Sequence, residues 1–263
     1  MKWRINNQKR HVIKDLRESS NSLFLLLNEW YQSPLGARVV DNEKQKLQET
    51  ISHLFGYHIL QVGADENLKL IENSPVGHKI IFSPFLFPGT KTPVANIEEL
   101  PLANDSIDII LVYHALDFTI DSHRLLRELT RVLRPGGQML IVGFNPLSLW
   151  GVFRLFMSKR NTPWMGRFLS LGRLSDWLKL LNLQIESVNY VNHFLPFSYR
   201  KILARAEQFE KIGEKMQIPF GGSYIVHCEK TAIPITPIVT KRIPLASRVS
   251  VFPLTENIRA KIH

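Results

Sequence analysis

Tyr113-His114-Ala115-Leu116-Asp117-Phe118 brings together the side chains of this chain best suited to moving a proton. A histidine has an unperturbed pKa near ~6.5, so it can take or give a proton at neutral pH, and Asp117, three residues on, can orient its ring. The segment follows an apolar run with the look of a buried strand, which puts it at the edge where open α/β sheets bind ligands. A lone histidine at that edge is more often a pocket wall or a packed polar residue. Other chemistries lack their residues: there is no G-x-S-x-G elbow, no Walker A loop, no H-E-x-x-H helix and no G-x-G-x-x-G. His227 and Cys228 are adjacent in a strand-like run and should face opposite ways, so they form neither a nucleophile pair nor a closed metal site.

The elements that must position these residues are legible around them. Asp108-Ile109-Ile110-Leu111-Val112 is a β-branched run behind one acid, suited to a strand buried on both faces. From His123 to Leu133 the period changes: Leu125, Leu126, Leu129, Val132 and Leu133 recur three or four apart, with Arg124, Arg127, Glu128 and Arg131 opposite, which predicts a helix laid on a sheet. Arg134-Pro135-Gly136-Gly137 is expected to stop that helix, and Met139-Leu140-Ile141-Val142 to begin the next strand.

Leu100-Pro101, Asp105-Ser106-Ile107-Asp108, Leu126-Arg127-Glu128 and Arg131-Val132-Leu133-Arg134-Pro135-Gly136-Gly137 together resemble the class I S-adenosylmethionine (SAM)-dependent methyltransferases, type-11 branch. The resemblance implies an α/β, Rossmann-like fold with a seven-stranded, mostly parallel sheet flanked by helices, SAM as cofactor and a methyl acceptor as substrate. It also implies where the cofactor rests. His58-Ile59-Leu60-Gln61-Val62-Gly63-Ala64-Asp65-Glu66-Asn67 stands where the family has a strand ending in an acid and a three-glycine loop. Gly63 is retained, Asp65 and Asn67 occupy the other glycine positions, and Gln61 replaces the acid; its amide can still accept from the cofactor ammonium. Ser83 closes the second strand, His78 to Phe82, where an acid ordinarily accepts both ribose hydroxyls. Asn96 and Ile97 fall on the adenine-reading pair, and Ala64, Tyr113 and His114 border the same cofactor. His114 is the candidate base, needed only for an acceptor that is protonated at neutral pH.

The organisation expected is an N-terminal helical cover over 1–56, a methyltransferase domain over 57–230 and a basic, proline-containing tail over 231–263. In the cover, Leu23 to Leu27 with Trp30 and Tyr31 form an apolar face, Ser33-Pro34-Leu35-Gly36 breaks the chain, and Asp41 opens a second helix running toward Phe55. By the resemblance Trp30, Tyr31 and Leu35 are candidate lid residues. An insertion over 148–173 carries Trp150, Phe153, Arg154, Phe156, Lys159, Arg160, Trp164 and Arg167, suited to covering an acceptor pocket, a membrane surface or nucleic acid, or to an ordinary cover helix. Ser175 is expected to cap the next helix, with strands following near Gln184 to Val191 and Tyr224 to Glu229.

The 263 residues, 44% of them hydrophobic, are enough for one substantial core. The single cysteine, a polar N-terminal stretch and apolar runs far short of the ~20 residues of a membrane span suggest a cytoplasmic, bacterial-type enzyme without a transmembrane segment. The formal charge of +10 is partly concentrated in the tail, where Lys241, Arg242, Arg248, Arg259 and Lys261 face one acid, Glu256. Such a tail suits an anionic partner, RNA or a membrane surface, or solubility alone. Three functions are therefore open: a methyltransferase on an unidentified acceptor, a catalytically silent methyltransferase-like binding protein, and an RNA-modifying methyltransferase guided by the tail.

Overall fold

The structure, a computed structural model, describes residues 20–63, 66–68, 70–83, 92–157, 162–196, 210, 213 and 219–231. Ala64, Asp65 and nearly all of the basic tail lie outside the described residues. Two N-terminal helices, α1 (Ser20–Tyr31) and α2 (Pro34–Ile51), precede strands β1 (His58–Val62), β2 (His78–Phe82) and β3 (Ile107–Tyr113). A one-turn helix α3 (Ala115–Phe118) leads into α4 (Ser122–Val132), strand β4 (Leu133–Phe144) and helices α5 (Leu149–Phe156) and α6 (Leu171–Leu180). Strands β5 (Leu183–Val191) and β6 (Ser223–Lys230) complete one sheet of order β2-β1-β3-β4-β6-β5. The four strands from β2 to β4 are parallel, and β6 runs antiparallel between β4 and β5. The described residues thus hold six of the seven expected strands; an isolated parallel bridge between Ser83 and Val94 continues the pairing past the end of β2.

Burial follows the sequence pattern. Every residue of β3 is buried, as parallel strands covered on both faces require. Helix α4 buries Leu125, Leu126, Leu129 and Val132 and turns its arginines outward, with the Asp121 carboxylate accepting from the Arg124 N–H at 2.9 Å as N-cap.

Several boundaries differ from expectation for local reasons. The Pro-Gly-Gly segment is not a turn ahead of a strand but a bulge inside β4: Leu133 already pairs with Ile107, and the next partners are Gln138 and Ile109, so the intervening residues loop out, with Gly136 at φ 74°. A side chain at Gly137 would collide with the Leu133 side chain and the Arg134 carbonyl. Helix α2 starts at Pro34 rather than Asp41, because the Ser33 hydroxyl accepts from the Gly36 N–H at 3.0 Å and proline suits the first turn. Likewise Ser170, not Ser175, caps α6, and Ser175 is internal to it.

The residues that carried the family resemblance turn out to be fasteners. The Glu128 carboxylate takes two bonds from the Arg131 guanidinium, at 2.6 and 2.9 Å, and a third from the Leu100 N–H at 2.7 Å, while Arg131 also reaches the carbonyls of Leu100 and Leu102. The Asp108 carboxylate receives the N–H groups of Tyr57 and His58 at 3.0 and 2.8 Å and pairs with Arg134 at 2.7 Å, tying the start of β1 to the bulge. The first group pins the loop carrying Asn96 and Ile97 to α4. Glu128→Gln loses the charge-assisted pair, and urea denaturation should show a loss of about 1–2 kcal/mol. Because the bonds from Arg131 hold the Glu128 carboxyl below its ordinary range, this stability is complete above pH ~4.3 and disappears as pH falls through the depressed value, so the variant should lose less stability than the parent in acid.

Candidate functional site

The sheet reverses its direction of winding between β1 and β3, and the carboxyl ends of strands at such a reversal are where open α/β sheets bind ligands. Val62 pairs with Phe82 and Val112, so the next residues along, Gly63, Ser83 and Tyr113, end one row across three strands. Gly63 has φ 102°, and a Cβ there would run into the Tyr113 carbonyl oxygen and lie 2.9 Å from the Ala115 methyl. Only glycine lets these strand ends approach so closely. Gln61 and Ser83 are fully buried, and the Ser83 carbonyl accepts from the Ala95 N–H at 3.1 Å, placing Asn96 and Ile97 just beyond the end of β2. Ile97 is buried; Asn96 is exposed and its Oδ1 accepts from the Glu98 N–H at 3.1 Å, so its side chain shapes the loop.

Tyr113 and His114 open a second part of the site, and they meet a residue the sequence reading did not single out. Glu43, from the middle of α2, has no exposed surface. Its Oε2 accepts from the Tyr113 hydroxyl at 2.5 Å, and its Oε1 from the Ser223 hydroxyl at 2.6 Å and the Asn192 amide at 3.1 Å. His114 lies between two acids, with Nε2 3.2 Å from Glu43 Oε2 and Nδ1 3.2 Å from Asp117 Oδ2. The second Asp117 contact is the Phe144 N–H, donating at 2.9 Å, and the Leu169 N–H donates to its other oxygen at 3.4 Å. His114 sits at φ 50°, and its ring stacks on Phe144 with centroids 4.1 Å apart. That left-handed turn is what directs its side chain back under α2.

Charge in so dry a place is tolerated only when paired. Burial pushes the His114 pKa down, but Glu43 and Asp117 outweigh it and raise the imidazole to about 9, so the ring carries a proton at neutral pH. Burial raises the Asp117 carboxyl, against the opposing bonds from His114 and the two backbone amides. The phenols of Tyr113 and Tyr31 are pushed well up, first by burial and then by Glu43. Tyr31 is 3% exposed, its ring 5.7 Å from Tyr113 and 6.4 Å from His114, yet its hydroxyl has no hydrogen-bond partner among the described residues. Of the other lid candidates, Leu35 is buried within α2 and Trp30 is half-buried, edge-on to Phe144. Cys228 is buried with its thiol pushed up to about 12, too high for a nucleophile.

A family model described as a methyltransferase domain matches residues 62–141. An Escherichia coli protein, uncharacterized protein YafS, is 33% identical over 170 residues, which cover 64% of this chain and 70% of that one. A ubiquinone/menaquinone biosynthesis C-methyltransferase of Vibrio vulnificus is 43% identical over 51 residues, 20% of its own length. Among solved structures, a SAM-dependent methyltransferase from Thermotoga maritima, described as a possible histamine N-methyltransferase, superposes with a TM-score of 0.56 at 17% identity, over 77% of this chain and 93% of that one. One from Archaeoglobus fulgidus gives 0.53 at 18% identity, over 79% and 99%.

The buried triad makes stability depend on pH in a defined direction. A histidine whose folded pKa exceeds its unfolded ~6.5 contributes fully below pH ~6.5, and the contribution is lost as pH rises toward about 9. Thermal melts should therefore fall between those limits. His114→Gln leaves two buried carboxylates without their cation; it should cost about 3–5 kcal/mol at neutral pH and flatten that alkaline decline.

Proposed function

Since this chain belongs to the type-11 branch of the class I SAM-dependent methyltransferases, we propose that it transfers a methyl group from SAM to an acceptor that enters at the carboxyl edge of the sheet beneath α1 and α2. The observation that carries this reading is Gly63: its positive φ and its contact with the end of β3 keep open the close backbone approach a nucleotide cofactor needs at the winding switch. When bound, SAM supplies an electrophilic methyl on a sulfonium. Gln61 and Gly63 would receive its amino acid part, Ser83 its ribose, and Asn96 with the Ile97 N–H its adenine; Ala64 and Asp65 belong to the same loop.

The chain's own residues then orient and exclude water. His114, with both ring nitrogens facing carboxylates and its pKa raised, fits a positioning cation better than a resting general base; it holds Glu43 and Asp117 in place. A buried hydroxyl without a partner is costly, so Tyr31 is a natural donor to a bound molecule. An acceptor that is already neutral and nucleophilic needs alignment more than proton removal.

A second reading, a methyltransferase-like binding protein without catalysis, draws on Gln61 and Ser83, two fully buried neutral residues where the family resemblance implies carboxylates. Calorimetric titration separates the two. The transferase reading expects SAM and S-adenosylhomocysteine to bind near micromolar, about −8 kcal/mol, and Gly63→Val to weaken both at least about tenfold through steric and φ strain. No heat from either compound at millimolar concentration would leave the binding-protein reading standing.

A further inference from the structure

Helix α5 breaks the rule by which surface helices are built. Its inner side buries Trp150, whose indole N–H donates to the Phe194 carbonyl at 2.7 Å and whose ring stacks toward Phe144. Its outer side should be polar. Instead Leu149, Val152, Leu155 and Phe156 point outward, the last two 78% and 81% exposed, and the one ionisable residue of the helix, Arg154, is turned inward to the carbonyls of Trp164 and Gly166. Leu147 just before the helix and Phe220 extend the patch; Phe220 lies beside it because the Asn145 amide donates to the carbonyls of Pro219 and Gly221, at 3.3 and 3.1 Å. An exposed apolar ridge of this kind marks an interaction surface.

The surrounding charge selects the partner. From Asn145 to Ser175 the chain contains no aspartate or glutamate, and besides the inward-turned Arg154 it carries Lys159, Arg160, Arg167 and Arg173, of which Arg167 and Arg173 are exposed among the described residues. We propose that this ridge is a membrane-docking surface, in which α5 lies in the plane of an anionic lipid bilayer, its outer side chains among the acyl chains and the flanking cations at the phosphates. At 8 residues α5 is about 12 Å long, too short to cross a bilayer of about 30 Å and suited to lying in its interface. No helix among the described residues is long and apolar enough to cross a membrane. Cations near an anionic surface supply the attraction, while the ridge supplies retention. The docking does not depend on catalysis: it is read by binding alone.

The test is flotation of the full chain with vesicles of phosphatidylcholine alone and with vesicles also containing phosphatidylglycerol. The protein should float with the second and not the first. L155E/F156E should reduce flotation to the phosphatidylcholine level, and L155S/F156S, which removes apolar contact without adding charge, should reduce it as well. Both residues are exposed, so melting curves should stay unchanged and separate lost docking from misfolding. K241Q/R242Q, in the basic tail, should float as the parent does. Absence of flotation with the anionic vesicles, or flotation of L155E/F156E equal to the parent, overturns the proposal. So does a parent chain that runs as a dimer, does not float, and becomes monomeric in L155E/F156E, since the ridge would then be an interface between copies of this chain.

Discussion

Two buried carboxylates and the buried imidazole between them join the N-terminal helices to the carboxyl edge of the sheet. A carboxylate taken out of water costs several kcal/mol unless charge and hydrogen bonds replace the solvent, and here the partners come from six separate stretches of chain. Glu43 arrives on α2, Tyr113 and His114 from the end of β3, Asn192 from the end of β5 and Ser223 from the start of β6. Asp117 adds the last residue of β4, through the Phe144 N–H, and the Leu169 N–H beyond α5. Each of these segments must reach its place before the charges are satisfied. The helical cover is therefore joined to the sheet at one edge by polar contacts of fixed geometry, on top of the apolar packing of α1 and α2.

That joint explains why the candidate site was only half legible. His114 and Asp117 are three residues apart and visible as a pair, whereas Glu43 lies 71 residues from His114 inside Asn42-Glu43-Lys44-Gln45-Lys46, which reads as a solvated face. A signal existed. Leu35, Val39, Leu47 and Ile51 are buried along one i, i+4 row of α2, and Glu43 occupies the middle position of that row. An acid in the centre of an apolar stripe has to find partners across the core, and reading α2 as beginning at Asp41 hid the row by splitting it.

The sheet and its crossover helix were legible because their information is local. Strand β3 and helix α4 carry period and composition in contiguous residues, and the structure places them where those patterns put them. Boundaries depended on tertiary bonds instead. Pro135-Gly136-Gly137 reads as a turn, yet Asp108 reaches Arg134 and Ile107 pairs with Leu133, so the strand begins before the glycines and absorbs them as a bulge. Ser170 and Ser175 are equally good caps by type; which one serves was settled by where the chain leaves the Leu169 contact with Asp117.

Charge placement along the crevice follows from the same buried cluster. An edge that already holds Glu43 and Asp117 has less need of further carboxylates at the ends of β1 and β2, because each added anion would raise the cost of the others in a medium of low dielectric. Gln61 and Ser83 keep hydrogen-bonding capacity at those positions without adding charge. The aromatic chain His114–Phe144–Trp150 leads from the cluster to the inner face of α5. The cluster and the exposed ridge are thus two faces of one packed unit. Because Phe144 touches both His114 and Trp150, a change in how α5 seats is felt first by the ring that holds the two acids apart.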